Sequence, residues 1–162
     1  MKHAPTRRIA GVAIAVGSVL AACGGGGTSP AATSAAASPA GVASSVNVTL
    51  QEWAVVPDAD SASAGTVTFT VNNTGPEDVH EFVILKTDLD AAALPVDATG
   101  AVTEEGEGIA VVDEIEDIPV GTTQELSVTL EPGKYVLLCN IYSEEEQEAH
   151  YKMGMRTAFT VN

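Results

Sequence analysis

The sequence predicts an all-β fold, a β-sandwich, over residues 46–162 of the 162-residue chain. Short segments alternate apolar and polar residues with a period of two, turn-forming residues separate them, and no long stretch carries helical periodicity. In "VNVTL" the alternation puts Val46, Val48 and Leu50 on one face. In "TVTFTVNN" it turns Val67, Phe69 and Val71 inward, and "NNTG" then makes a turn. "VHEFVIL" aligns His80 with Phe82 and Ile84, and "QELSVTL" aligns Leu126, Val128 and Leu130. "EPGK" sets proline before glycine, the order of a type II turn. "YVLLC" then places Tyr135, Leu137 and Cys139 on one side, and "MRTAFTV" aligns Met155, Phe159 and Val161. Several short strands joined by turns make a sandwich. Residues 88–119, rich in Ala, Gly, Asp and Glu, break the pattern; they predict an excursion with a short helix near 89–94.

The chain ahead of the sandwich is of another kind. Residues 1–22 start basic (Lys2, Arg7, Arg8) and continue into a short apolar run, the pattern of an export signal. The run closes on "LAAC", residues 20–23, which resembles the lipobox of bacterial lipoproteins. That resemblance implies lipid on Cys23, and thus an exported protein anchored by it to the outer face of a membrane. Residues 23–45 are almost wholly Gly, Ala, Ser, Thr and Pro with no charge. Such a stretch buries too little apolar surface to offset chain entropy and predicts a flexible tether.

Charge narrows the partners. All 22 acidic residues follow Cys23, against four of the seven basic ones. Phosphate binding needs the opposite sign, so nucleic acid is excluded as a partner. A basic protein partner is favoured, because opposite fields speed encounter. The domain itself is expected to be monomeric.

With Cys23 lipidated, Cys139 is the one thiol of the sandwich and has no cysteine to pair with. The sandwich holds two histidines, His80 at a strand start and His150 before the last strand. Cys139 ends one strand and Met155 begins another, so alternation directs His80, Cys139 and Met155 to the apolar faces. Two imidazoles, a thiolate and a weak thioether are the donor set of a blue-copper site. Met153 is a rival to Met155. Cysteine and two histidines also suit zinc. No nucleophile–base constellation is visible, so the sequence predicts no enzyme.

Three motifs together resemble the cupredoxins, the plastocyanin and azurin family, over about residues 46–162. They are "VTFTVNNTGPEDVHEFVIL", with an Asn-x-Gly turn before a histidine; "PGKYVLLCN", with a cysteine ending a strand; and "HYKMGM", with methionine five residues after histidine. The resemblance implies a Greek-key sandwich holding one copper, with His80, Cys139, His150 and axial Met155 as ligands. It also implies a hydrogen bond between Glu81 and Asn140 that ties the two ligand segments together. One departure stands out: ten residues, four of them glutamates, separate Cys139 from His150, far more than the family uses. "SEEE" at 143–146 matches a capping box and Gly154 suits a helix C-terminus, so the insertion predicts a short helix in the ligand loop.

The function implied is a membrane-anchored carrier of single electrons. A copper buffer or delivery protein, and a metal-free surface domain, are the alternatives.

Overall fold

The computed structural model describes residues 44–162. The signal segment, Cys23 and nearly all of the tether lie outside the described residues. The first strand, β1 (Ser44–Gln51), starts two residues ahead of the boundary expected from composition. It is followed by β2 (Ala54–Pro57), β3 (Ser61–Ala62), β4 (Gly65–Asn73), β5 (His80–Lys86), β6 (Ala110–Ile118), β7 (Thr123–Leu130) and β8 (Gly133–Leu138). A hairpin, β9 (Tyr142–Ser143) with β10 (Glu148–Ala149), leads into a single helical turn, α1 (His150–Met153), and β11 (Arg156–Val161) ends the chain.

The strands form two sheets, ordered β2-β1-β4-β7 and β3-β11-β8-β5-β6. Most pairings are antiparallel, with β1 parallel to β4 and β11 parallel to β3. The predicted inward residues meet between the sheets: Val46, Val48, Leu50, Val67, Phe69, Val71, Phe82, Ile84, Tyr135, Leu137, Phe159 and Val161 form one cluster. Phe69 of the four-stranded sheet meets Phe82 and Phe159 of the other, with ring centroids 5.3 and 5.7 Å apart. Each such aromatic pair adds about 0.5–1.5 kcal/mol beyond the area it buries.

Strands β5 and β8 are buried on both faces. Val83, Leu85, Val136 and Leu138 point away from the sandwich interior into a second cluster with Leu94, Val102 and Tyr151. The excursion is shorter than the sequence predicts, because residues 110–118 form β6 beside β5; the stretch before β6 supplies the cover. No helix forms near 89–94, which is a correction to the sequence reading: the segment is turns and bends. Asp90 accepts the Ala92 N–H on its side chain and the Ala93 N–H on its carbonyl. Pro95 then has no N–H to continue a helix. Tyr151 captures the freed groups, donating its hydroxyl to Ala91 O at 2.8 Å and accepting the Leu94 N–H at 3.0 Å. Gly133 departs from type II geometry, at φ 155° rather than about 80°.

The turn before β5 positions the site. Asn73 is wholly buried at the end of β4. Its Nδ2 donates to the carbonyls of Asp78 and Ile118, each at 2.8 Å, and its Oδ1 accepts the Gly75 N–H at 2.8 Å. Gly75 sits at φ 68°, and a Cβ there would lie 2.7 Å from Val120. One amide therefore ties the loop that delivers His80 to the start of that loop and to β6.

Asn73→Ala strands these three groups without partners, and a buried unpaired polar group costs about 1–3 kcal/mol. The variant is expected to lose about 3 kcal/mol of stability, measured by chemical denaturation. A loss under about 1 kcal/mol would show that the loop holds without the amide.

Candidate metal centre

Four chain segments meet at the end of the sandwich where β5 begins and β8 finishes. His80 is the first residue of β5 and Cys139 directly follows β8. The Cys139 N–H donates to Met155 O at 3.1 Å, which places the start of the last strand beside the thiol. His150 is the first residue of α1; its N–H donates to Ile141 O, and its carbonyl accepts from the N–H of Gly154 and of Met155.

The insertion between Cys139 and His150 is a β-hairpin rather than a helix. Ser143 pairs with Glu148 and Tyr142 with Ala149. Ser143 Oγ accepts the Glu146 N–H at 3.3 Å, as a cap would, but the chain turns back, with Gln147 at φ 57°. The helical turn starts only at His150, has Ala149 in the cap position and carries no acidic residue in its first turn. A helix through 144–148 would set Glu144 above Glu148 at the i,i+4 spacing, where like charges repel. In the hairpin the carboxylates spread into solvent, although Asp78 and the neighbouring glutamates still raise the pKa of Glu146. Gly154 closes α1 as expected, at φ 135°.

His80, Cys139 and His150 converge. The two Nδ1 atoms are 3.2 Å apart, and Cys139 Sγ lies 3.4 Å from Nδ1 of His150 and 4.0 Å from Nδ1 of His80. An ion bonded at about 2.0 Å to nitrogen and about 2.3 Å to sulfur spaces its donors in this range. All three residues are at most 2% exposed. Met155 is wholly buried in the core cluster, whereas Met153 is 43% exposed, which removes it as a rival inward donor.

Burial sets the electrostatics. It lowers the pKa of both imidazoles, and their mutual proximity lowers that of His80 further. Burial pushes the Cys139 thiol up to about 12, against the opposing pull of the Glu81 and Ile141 backbone. Among the described residues, then, two neutral imidazoles face a neutral thiol. A cation between them changes that balance, because a coordinating thiol is deprotonated outright.

Around the three donors the packing is polar and specific. The Glu81 N–H points at Cys139 Sγ at 3.4 Å, and the Asn140 N–H donates to Glu81 Oε1 at 2.6 Å. Burial raises the Glu81 pKa to about 7. The Asn140 amide brackets Val102, accepting its N–H at 2.6 Å and donating to its carbonyl at 3.0 Å, so the excursion is tied to the cysteine segment.

Two neighbours carried no signal in the sequence. Trp53 sits edge-on to both imidazoles, with centroids 4.9 Å from His150 and 6.4 Å from His80. Glu52 places Oε1 3.7 Å from Nε2 of His80. Its burial acts to raise its pKa, but the N–H groups of Asp78 and Glu77 bonded to it hold the value below the ordinary one. Both residues lie in the short link between β1 and β2, where alternation lapses. Together with Pro76, Glu77, Asp78 and Glu146 they line an open depression of about 290 Å³. A larger hollow of about 550 Å³ lies by Lys86 and Gly133, at the opposite end of β5, and touches none of the donors.

A Cβ at Gly154 would lie 2.8 Å from the carbonyl oxygen of Trp53, at a φ that side chains rarely adopt. Gly154→Ala is expected to cost about 1–3 kcal/mol and to push Trp53 off the histidines. Trp53 is the chain's single tryptophan, so its fluorescence reports the displacement directly. An unchanged emission spectrum and an unchanged denaturation midpoint would refute that contact.

No protein-family model and no curated protein sequence matches the chain. Solved structures do. Dithionite-reduced auracyanin from the photosynthetic bacterium Roseiflexus castenholzii superposes with a TM-score of 0.51 at 24% identity, over 74% of this chain and 97% of that one. Rusticyanin from Thiobacillus ferrooxidans gives 0.50 at 16% identity, over 74% of this chain and 77% of that one. Both are cupredoxins, and the described domain, with its His–Cys–His cluster at one end, has the cupredoxin fold.

Proposed function

We propose that this domain is a type 1 copper protein that carries single electrons. The observation that carries the proposal is the convergence of two imidazole Nδ1 atoms and one thiol on a single buried point. His80 and His150 would hold the metal through Nδ1 and Cys139 through Sγ, with Met155 as a weak axial donor. Copper, when bound, supplies a one-electron Cu(II)/Cu(I) couple. Soft thiolate suits Cu(I) and imidazole suits copper in general, so the donor set fits the ion.

The chain's own residues supply the rest. The side chains of the core and Trp53 exclude water from the donors. The backbone bonds from Cys139 to Met155 and from Met155 to His150 lock three of the four proposed ligand segments together. The Asn140 N–H to Glu81 joins the fourth to the cysteine segment, and Asn73 braces the loop that delivers it. Donors held this way move little when charge changes, which is the requirement for fast electron transfer. Because the three donors are at most 2% exposed, a substrate does not reach the metal; this favours a carrier over an enzyme. The excess of acidic residues favours a basic redox partner. The lipobox-like "LAAC" and the uncharged segment after it favour a membrane-anchored carrier on the outer face of the cell.

Cu(II) added to the soluble domain is expected to produce an intense visible band. Cys139→Ser should abolish that band with the sandwich intact, and Met155→Leu should keep it while raising the reduction potential. An absent band in the wild-type domain, or one that survives without Cys139, rules out the type 1 assignment. Rapid surrender of Cu(I) to a chelator would point to copper buffering instead.

Cys23→Ser removes the residue that would carry the acyl chains and is expected to release the protein from membranes. A variant that stays bound after a salt wash would refute the lipid anchor.

A further inference from the structure

Among the buried side-chain nitrogen and oxygen atoms of the described residues, two have no hydrogen-bond partner, and they belong to adjacent side chains: Nε2 of His80 and Oε2 of Glu52. His80 is fully buried, and the Glu52 side chain is 11% exposed. Glu52 is anchored rather than free. Its Oε1 accepts the N–H of Asp78 at 2.7 Å and of Glu77 at 3.1 Å, and its own N–H reaches toward Gly75 O. The same Oε1 lies 3.7 Å from His80 Nε2. The carboxylate is thus held by the loop that delivers His80, on the side of the ring opposite Cys139 and His150.

We propose that Glu52 is the positioning residue of the metal centre, the carboxylate that receives the outer N–H of His80. The inference rests on the copper reading above and adds a residue to it. A neutral imidazole has one N–H. A ring that gives Nδ1 to a metal keeps that proton on Nε2, where it needs an acceptor. Among the described residues Glu52 has the only carboxylate oxygen within 4.0 Å of that nitrogen. A carboxylate on the far nitrogen fixes the ring's tautomer and orientation and makes the ring a better donor. Its negative charge, in a site shielded from water, also favours the more highly charged state of a bound metal.

The test compares wild type with Glu52→Gln, Glu52→Ala and Glu77→Gln. Glutamine keeps the oxygen that bonds the two backbone N–H groups and faces His80, but it removes the negative charge and replaces the second oxygen with an amide donor. Glu77→Gln removes one charge from the same rim, at an exposed side chain that makes no contact with His80. Glu52→Gln is expected to weaken copper binding about 10–100-fold, measured by chelator competition, and to raise the reduction potential. Glu77→Gln should change the affinity less than about twofold, on the order of what a screened surface charge contributes. A Glu52→Gln variant that matches wild type in both readouts overturns the proposal, as does a Glu77→Gln variant with the same losses. Proton NMR of the metal-free domain supplies a readout that needs no copper. The His80 Nε2–H resonance should be protected from exchange in wild type and lost in Glu52→Ala, which removes the acceptor; its absence in wild type refutes the hydrogen bond. If wild type takes up no copper, the type 1 assignment fails, while the NMR result still decides whether Glu52 holds the ring.

Discussion

The site depends first on the side-chain amide of Asn73. It lies at the end of β4, wholly buried, and satisfies three backbone groups from the loop and from β6. Thr74 extends the brace, its N–H and hydroxyl both reaching Leu50 O. Backbone groups of Gly75, Glu77 and Asp78 are bonded inside the protein, so the loop is held at several points where it delivers His80 to β5. Glu52 completes the arrangement from the link that follows β1, since its carboxylate is bonded to the loop's own N–H groups. The first imidazole is therefore placed by strands of both sheets before any metal is considered.

The second half of the site is held by a different device. Cys139, Ile141, His150 and Met155 are linked through backbone bonds that run from Cys139 to Met155, from Met155 to His150 and from His150 to Ile141. This leaves the eight residues between Ile141 and His150 free to vary in length and shape, because their two ends are pinned together. The hairpin occupies that allowance. Side chains next to the candidate ligands tie in the excursion, Asn140 at Val102 and Tyr151 at Ala91 and Leu94. The outer cover of β5 and β8 is thereby joined to both the cysteine and the second histidine.

Desolvation links the geometry to the chemistry. Enclosing two imidazoles and a thiol disfavours their charged forms, which leaves both rings neutral and the thiol protonated in the absence of a cation. Neutral imidazoles are ready to donate a lone pair, and a cation removes the thiol proton. The acidic surroundings, with Glu52, Glu77, Asp78 and Glu146 on the rim, add a negative potential at this end of the sandwich.

The sequence by itself determined β1, β4, β5, β7, β8 and β11, their inward residues and the order in which the candidate donors enter the sandwich, but it hid β6 inside the stretch read as an excursion. These are local properties: a period of two, a proline, a glycine, a terminal cysteine. The spacing from His150 favoured Met155 over Met153, and the fold adds that Met155 is buried whereas Met153 is exposed. The tertiary structure decided what required partners distant in the chain. The glutamate run reads as a capped helix in isolation, and Ser143 does bond Glu146, but pairing of 142–143 with 148–149 draws the chain into a hairpin. The stretch at 89–94 lost its predicted helix to Tyr151, some sixty residues away. Glu52 and Trp53 were silent because nothing in a two-residue link announces contact with histidines 27 and 97 or more positions along the chain. Periodicity records which way a residue faces; which residue it will face is set only when the sheets close.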